Sequence, residues 1–254
     1  MNEWNDILRV PERCLVNRKI TKAFFKRNFE LTLTDKNVLD KQIEGINWLA
    51  SLNPENNNIP SFVSEDVVYE EVQILTVTTS QADFDRDHVK IAEVIQKYIP
   101  YAILLCVSTA EQMVWSTCNK RGRQNDKTKR IIEKRFFSQI IDTQQQSQTQ
   151  REFLNSLSFS ALAKTSLQDL YNSYTERIFA LQAASLNSTF ALRTQERTQA
   201  DMLLMERLEA LEQEVTTLSQ KAKKETQLND QVQLNLLIQN KRREITLLKN
   251  KILE

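Results

Sequence analysis

The sequence predicts an α+β protein: a small mixed sheet packed by helices, followed by a helical region that ends in an antiparallel coiled-coil hairpin. Residues 67–118 combine β-branched runs with helical spacing in quick succession. The 254 residues include only two glycines and four prolines, which disfavours an all-β fold with many tight turns. Leucines at heptad spacing recur over the last fifty residues.

The first sixty residues predict helices and a loop. Residues 2–13 form a short helix or turn that Pro11 closes, and residues 18–29 place an apolar ridge beside a basic face. That face suits either a contact surface or a solvated helix surface. Thr34 is expected to cap a helix that reaches Leu52, with Ile43 and Ile46 on its buried side. Residues 53–64 then form a loop.

The centre of the predicted sheet follows this loop. Residues 67–77 predict one long strand, and the spacing of apolar residues from Asp85 predicts an amphipathic helix that Pro100 stops. Residues 102–107 are continuously apolar, as in a central strand covered on both faces. Residues 112–118 are the expected hairpin partner of this strand.

The most basic segment of the chain comes next. Residues 120–135 contain eight lysines and arginines and two acids, an excess of six positive charges. Positive charge at this density can neutralise the phosphates of a nucleic acid. The alternative is a solvated loop between two strands without a binding role, with Phe136, Ile140 and Ile141 in the core. Six side chains are predicted to contact DNA or RNA: Lys120, Arg121, Arg123, Lys127, Lys129 and Arg130.

The C-terminal third predicts helices. After a glutamine-rich linker, Thr165 or Ser166 caps a helix that packs on the sheet, and two apolar seams follow from Met202 with a polar break at residues 221–230. The seams pair within the chain, pair between chains as a homodimer, or prop the sheet domain. The predicted partner-binding residues are Leu211, Val215, Leu218, Ile238, Ile245 and Leu248. The predicted divisions are residues 1–143 (sheet domain), 144–200 (linker and packing helices) and 201–254 (hairpin).

No catalytic residue, metal site or cofactor is predicted. Asp83, Asp85 and Asp87 resemble the start of a calcium loop, but the following residues lack its glycine and its final glutamate. Glu70 and Glu71 point to opposite faces of a strand, which disfavours a metal-nuclease site with Lys120.

Cysteine usage and hydropathy suggest a soluble, cytoplasmic protein. Three cysteines without metal-ligand spacing favour a reducing compartment, where they act as small core residues. No apolar run approaches about twenty residues, so no membrane association is expected.

A spaced pattern of core and turn residues resembles the bacterial family called domain of unknown function 4391. The pattern departs at Asn56, where threonine is expected, and at Cys118–Asn119, where an aromatic residue is more usual. The matching residues are Ile43, Ile46, Trp48, Leu49, Leu52, Pro54, Asn58, Ile59, Glu71, Val72, Gln73, Ile74, Ile99, Pro100, Tyr101, residues 103–105, Lys224, Glu225, Gln227, Leu228, Asn229, Val232, Leu234 and Asn235.

The resemblance implies a genomic context and no active residues. Such proteins tend to be encoded beside DNA methyltransferases and helicases of restriction-type defence systems, so a helicase or methyltransferase is the expected protein partner. The predicted function is a non-enzymatic accessory or interaction subunit of such a system, contacting nucleic acid through the basic segment. The alternative is a metal-dependent nuclease or another DNA-modifying enzyme.

Overall fold

A computed structural model describes residues 3–123, 126–186 and 188–253, without the side chains of residues 3, 123, 126–129 and 253. The chain divides into two compact units, Met1–Gln182 and Ala183–Glu254. The three-part division expected from the sequence stays a prediction. Helices account for 54% of the structure and strands for 23%, as the scarcity of glycine indicates. No helix in the described part is long and apolar enough to span a membrane.

The first unit contains nine strands, seven α-helices and two short 3₁₀ helices within its described residues. The strands are β1 (Leu15–Lys19), β2 (Ile43–Leu52), β3 (Phe62–Val63), β4 (Val68–Tyr69), β5 (Val72–Thr79), β6 (Ala102–Ser108), β7 (Gln112–Arg123), β8 (Asp126–Phe137) and β9 (Ile141–Asp142). The helices are α1 (Glu3–Leu8), α2 (Lys22–Asn28), α3 (Leu33–Lys41), α4 (Pro54–Asn57), α5 (Gln81–Tyr98), α6 (Gln148–Ser156) and α7 (Leu167–Ala183).

A mixed sheet organises this unit. Its strand order is β1-β2-β5-β6-β7-β8, and β9 pairs with β7 beside this path. β5 and β6 run parallel, joined by α5, while the other described neighbours are antiparallel. β3 and β4 form a separate two-stranded sheet. The α+β class and the mixed sheet expected from the sequence are therefore confirmed.

Helices cover both faces of the sheet. On one face, α2, α3 and α5 bury Phe25, Leu39 and Ile95 against strand residues such as Leu75 and Leu105. On the other face, the Tyr171 hydroxyl of α7 donates to the carbonyl oxygen of Ile103 at 3.1 Å and accepts from the backbone N–H of Cys118 at 2.9 Å. The apolar strand β6 is buried along its whole length, which confirms it as a central strand.

The predicted helix from Thr34 to Leu52 is wrong in its second half. α3 ends at Lys41, and its N-cap is Thr32, whose side chain accepts from the backbone N–H of Asp35. The following ten residues form β2. Two bulges interrupt its pairing with β5, and the apolar residues Ile43, Ile46 and Leu49 are buried three residues apart. Each bulge adds one residue to the two-residue repeat of a strand, which imitates the spacing of a helix.

Three other predicted elements also change. Residues 67–77 are not one strand, since β4 and β5 belong to different sheets. α5 begins at Gln81 rather than near Asp85, because the Ser80 side chain caps it. Residues 18–29, expected as one helix, divide between β1 and α2.

The basic segment is not a loop. Its described residues extend β7 and form β8, and these two strands pair antiparallel as a hairpin. Next to its cations β8 contains the β-branched residues Ile131 and Ile132, which favour strands. β8 is the last strand of the sheet path.

The second unit contains two long helices, α8 (Gln195–Lys224) and α9 (Leu228–Leu253). They pack against each other, and ion pairs joining Arg207 to Glu244 and Glu214 to Lys241 show that they run antiparallel. The polar break predicted between the seams is confirmed, because Lys224 ends one helix and Leu228 begins the next.

Candidate functional site

A cleft of about 580 Å³ opens on the face of the sheet that α2 covers. β1, β2 and β5, the end of α2 and the segment between α5 and β6 line it. Its walls are mostly aromatic and aliphatic, and its polar lining includes two cations and one buried amide. The lining residues discussed below are Arg18, Lys19, Phe24, Phe29, Trp48, Gln73 and Tyr101.

Strand pairing brings the sheet residues of the cleft together. Arg18 lies opposite Trp48 in the β1–β2 pair, and Trp48 lies opposite Leu75 in the β2–β5 pair. A register shift in β1 accompanies Asn17, whose φ of 49° is left-handed backbone that asparagine tolerates. The cleft residues of β1, β2 and β5 are therefore placed by bulges in the sheet.

Two aromatic residues of the cleft are unusually exposed. Phe24 is 43% exposed and Tyr101 is 45% exposed. Phe24 packs edge-on against Phe29 with ring centroids 6.0 Å apart, and the indole N–H of Trp48 donates to the Ala50 carbonyl oxygen at 3.1 Å. These contacts hold the rings in place but leave apolar surface open to the cleft.

Gln73 provides the buried polar group of the cleft. It is 5% exposed and stands in the otherwise apolar run of β5. Its side-chain amide makes no hydrogen bond to any part of the chain that the structure describes. A glutamine amide can both donate and accept hydrogen bonds, so this group has unused donor and acceptor capacity next to the cavity.

A carboxylate lies one strand pair away. The Ser51 hydroxyl, on the residue opposite Gln73, donates a short hydrogen bond to the Glu71 carboxylate. Glu70 is exposed and Glu71 is half-buried. Within the described residues, no group of three or more His, Cys, Asp or Glu side chains is arranged to hold a metal ion.

Two cations stand at the β1 side of the cleft. Arg18 and Lys19 are both exposed. Neither side chain forms an ion pair or hydrogen bond with another described residue. They therefore retain their full capacity to bind an anion.

Lys120 supports the segment between α5 and β6, which forms one wall of the cleft. Its ammonium donates to the carbonyl oxygens of Ile99 and Tyr101, both at 2.7 Å, so it fixes the segment that carries Tyr101. Burial lowers the pKa of Lys120 from 10.5 to about 8. The sequence prediction grouped Lys120 with surface cations, but the structure places its charged end inside the protein.

The other predicted nucleic-acid-binding residues lie on the β7–β8 hairpin. The Arg121 side chain pairs with Glu133 at 2.6 Å, and Arg130 lies opposite Gly122. The side chains of Arg123, Lys127 and Lys129 lie outside the described residues. The structure thus places the backbone of all six predicted residues on this hairpin, but it directs the ammonium of Lys120 into the protein.

The predicted partner-binding residues lie on the paired helices of the second unit. Leu211 and Ile238 are buried, at 0% and 6% exposure, whereas Val215, Leu218, Ile245 and Leu248 are half-buried. These residues therefore form much of the packed interface between α8 and α9. Other leucines stay open on the outer faces of the pair: Leu203, Leu236, Leu237 and Leu247, each at least 50% exposed.

Sequence reasoning noticed the basic face near Arg18 but missed the cleft. Gln73 was the available signal, because a glutamine inside the run from Val72 to Val77 interrupts a buried strand. Its neighbours across the sheet cannot be identified from the sequence, because the apolar spacing predicts a helix where the structure has β2.

The comparisons with known proteins identify a family without an assigned function. A family model described as Domain of unknown function (DUF4391) matches residues 8–245. No curated protein matches the chain, and no solved structure does.

Proposed function

We propose that this chain, which belongs to the DUF4391 family, is a non-enzymatic interaction subunit that contacts nucleic acid and recruits a protein partner. The basic β7–β8 hairpin would bind the nucleic acid, and the paired helices α8 and α9 would bind the partner. The observation that carries the proposal is the concentration of cations on an antiparallel hairpin at the end of the sheet.

The hairpin suits a phosphate backbone. Five of its cations lie on two neighbouring strands, which also carry Asp126 and Glu133, and Glu133 pairs with Arg121. Two-stranded ribbons enter the grooves of DNA, and each neutralised phosphate releases counterions. Such binding needs no catalytic group, because local charge supplies most of the affinity.

The first experiment measures nucleic-acid affinity against salt concentration. Lys120 stays unchanged because its ammonium is internal. The test variant replaces five hairpin cations with glutamine: Arg121, Arg123, Lys127, Lys129 and Arg130. A matched control replaces five exposed cations of the second unit: Lys221, Lys223, Lys224, Arg242 and Arg243.

The test variant should bind short DNA or RNA duplexes much more weakly than the control. Each lost phosphate contact reduces the magnitude of the slope of log affinity against log salt by about 0.9, so the loss of five contacts would reduce it by roughly 4.5. Equal affinity and equal slope in the two variants would contradict the proposal. So would a wild-type protein that binds no nucleic acid at low salt.

The paired helices suit a protein partner. Their exposed leucines, including Leu236 and Leu247, lie outside the seam between α8 and α9 and provide apolar contact area. Family context favours a helicase or DNA methyltransferase as the partner, and a second copy of this chain is the other choice. Light scattering of the purified protein tests the homodimer, and co-purification from the native cell tests the partner enzyme.

We also propose a cytoplasmic location. Cys14, Cys106 and Cys118 are all buried free thiols, which suits a reducing compartment.

A nuclease or other DNA-modifying enzyme is the second candidate. The pair of Ser51 and Glu71 beside Gln73 is the observation that favours it, because a carboxylate near a cleft is one component of a Mg²⁺ site. Incubating the protein with DNA and Mg²⁺, with and without a chelator, separates the two classes. Cleavage that the chelator abolishes and that Glu71→Gln removes would favour the enzyme.

A further inference from the structure

The aromatic cleft of the first unit is built like a small-molecule site. Its volume of about 580 Å³ falls within the range of roughly 300–1,000 Å³ typical of ligand pockets. Such pockets combine apolar walls with a few polar groups that orient the ligand. The cleft has this composition, with Gln73 as its buried polar group and two cations among its lining residues.

The walls favour a flat, aromatic ligand. Phe24 and Tyr101 expose more than two fifths of their surface, and Trp48 and Phe29 line the same space. Protein aromatic rings bind nucleobases by stacking, which every base permits because every base has a π-face. An aliphatic ligand would not use these ring faces in the same way.

Gln73 is placed to form hydrogen bonds with the polar edge of such a ligand. The residue is only 5% exposed, and its side-chain amide has no hydrogen-bonding partner among the described residues. A glutamine amide presents a donor and an acceptor side by side. Adenine presents the complementary pair at N6 and N7, which is the established match for glutamine.

Arg18 and Lys19 provide positive charge for an anionic group of the ligand. Both are exposed, line the cleft and form no ion pair within the described part of the chain. A phosphate attached to a stacked base would be neutralised by such cations. Within the described residues, the Glu71 carboxylate accepts a hydrogen bond from the Ser51 hydroxyl and forms no ion pair with either cation.

We infer that the cleft binds an adenine nucleotide, with the base among the aromatic rings, its edge on Gln73 and its phosphate on Arg18 and Lys19. The ligand is either a free nucleotide or an adenine in a single strand, since both present the same base and phosphate. The inference is independent of the basic hairpin, because the two sites share no residue.

Titration calorimetry of the full chain tests the inference. The probes are AMP, CMP, and short single strands of deoxyadenosine or deoxythymidine. AMP or the adenine strand should bind at least about tenfold more tightly than its pyrimidine counterpart. Binding of AMP identifies a free nucleotide as a sufficient ligand, whereas binding of the adenine strand alone identifies a strand; both support the inference.

Three variants test the assigned roles. Gln73→Met should remove most of the preference for adenine, and Tyr101→Ala, at an exposed position, should weaken binding about tenfold or more. The double variant Arg18→Gln/Lys19→Gln should weaken binding and reduce its salt dependence. The matched control Lys36→Gln/Lys41→Gln removes the same charge from exposed sites on α3 and should bind like wild type.

Circular dichroism must first show that each variant is folded. If Gln73→Met fails to fold, Tyr101→Ala and the double variant still decide the question. The inference is overturned if wild type binds neither AMP nor the adenine strand, or binds adenine and pyrimidine equally. It is also overturned if folded variants of the cleft bind as wild type does.

Discussion

Replacing Lys120 with methionine tests whether its ammonium is buried behind the cleft. In the structure this group is held by two carbonyl oxygens, and burial lowers its pKa from 10.5 to about 8. The difference of about 2.5 pKa units, at 1.36 kcal/mol per unit, corresponds to about 3 kcal/mol of unfolding free energy. Methionine has a similar length and no proton to release.

The sign follows from proton binding. Between pH 8 and pH 10.5 the unfolded chain keeps the Lys120 proton while the folded chain has lost it, so stability rises with pH. The gain in unfolding free energy from deprotonating Lys120 reaches its full value above pH 10.5, and it is lost as the pH falls through about 8. The methionine variant lacks the contribution at every pH.

Urea unfolding at pH 7, 8, 9 and 10 measures the effect. The free energy of unfolding of wild type minus that of Lys120→Met should rise by about 2–3 kcal/mol from pH 7 to pH 10. Taking the difference cancels the titration of the other groups. Lys36→Met, at an exposed site, should show no such rise. A difference that stays constant over this range would refute the burial argument.

Three further predictions concern stability. Burial alone would raise the pKa of Asp35, but hydrogen bonds from Lys97 and other donors lower this pKa to about 2. The folded state therefore loses stability as Asp35 is protonated, and wild type should lose about 2 kcal/mol of unfolding free energy relative to Asp35→Asn as the pH falls from 5 to 2, measured by urea unfolding. Gly45→Ala should destabilise the sheet by about 1 kcal/mol, because the new methyl would lie 2.8 Å from Thr78 Oγ1, and adding Thr78→Ala should restore most of the loss. Leu211→Ala should cost about 2–5 kcal/mol in urea unfolding of the paired helices, since Leu211 is fully buried.

Each of these predictions has a result that contradicts it. For Asp35, parallel acid unfolding curves would show that its ion pair stores no pH-dependent stability. For Gly45, an alanine variant as stable as wild type would mean that Thr78 moves aside freely. For Leu211, the control is Leu247→Ala at a 63% exposed site, and equal losses in the two variants would contradict the packing of α8 on α9.

Local patterns were sufficient for several elements. The continuous apolar run of β6 predicted a strand covered on both faces, and the structure buries all of it. Ser166, one of two proposed caps, accepts from the backbone N–H of Asp169 at the start of α7. The heptad spacing predicted two helices that pack together. These signals lie within a few turns of chain, where the periods of helix and strand are directly visible in the sequence.

Only the tertiary structure identified the elements in which the spacing of apolar residues departs from the regular repeat of a helix or a strand. The bulges in β2 gave a strand the spacing of a helix, and only its pairing with β1 and β5 reveals it as a strand. The sequence predicts a basic loop at residues 120–135, yet antiparallel pairing makes the described residues of this segment the end of β7 and most of β8. The partners of β2 lie at least 20 residues away along the chain, so no local window contains this pairing.

The composition and periodicity of the sequence determined an α+β chain with a helical end. The cleft was decided by the tertiary structure alone, since Arg18, Trp48, Gln73 and Tyr101 come from four separate segments that the sheet brings together. The role of Lys120 was decided in the same way. A lysine in a basic run looks like a surface cation in sequence, and its burial depends on carbonyl oxygens some twenty residues away along the chain, at Ile99 and Tyr101.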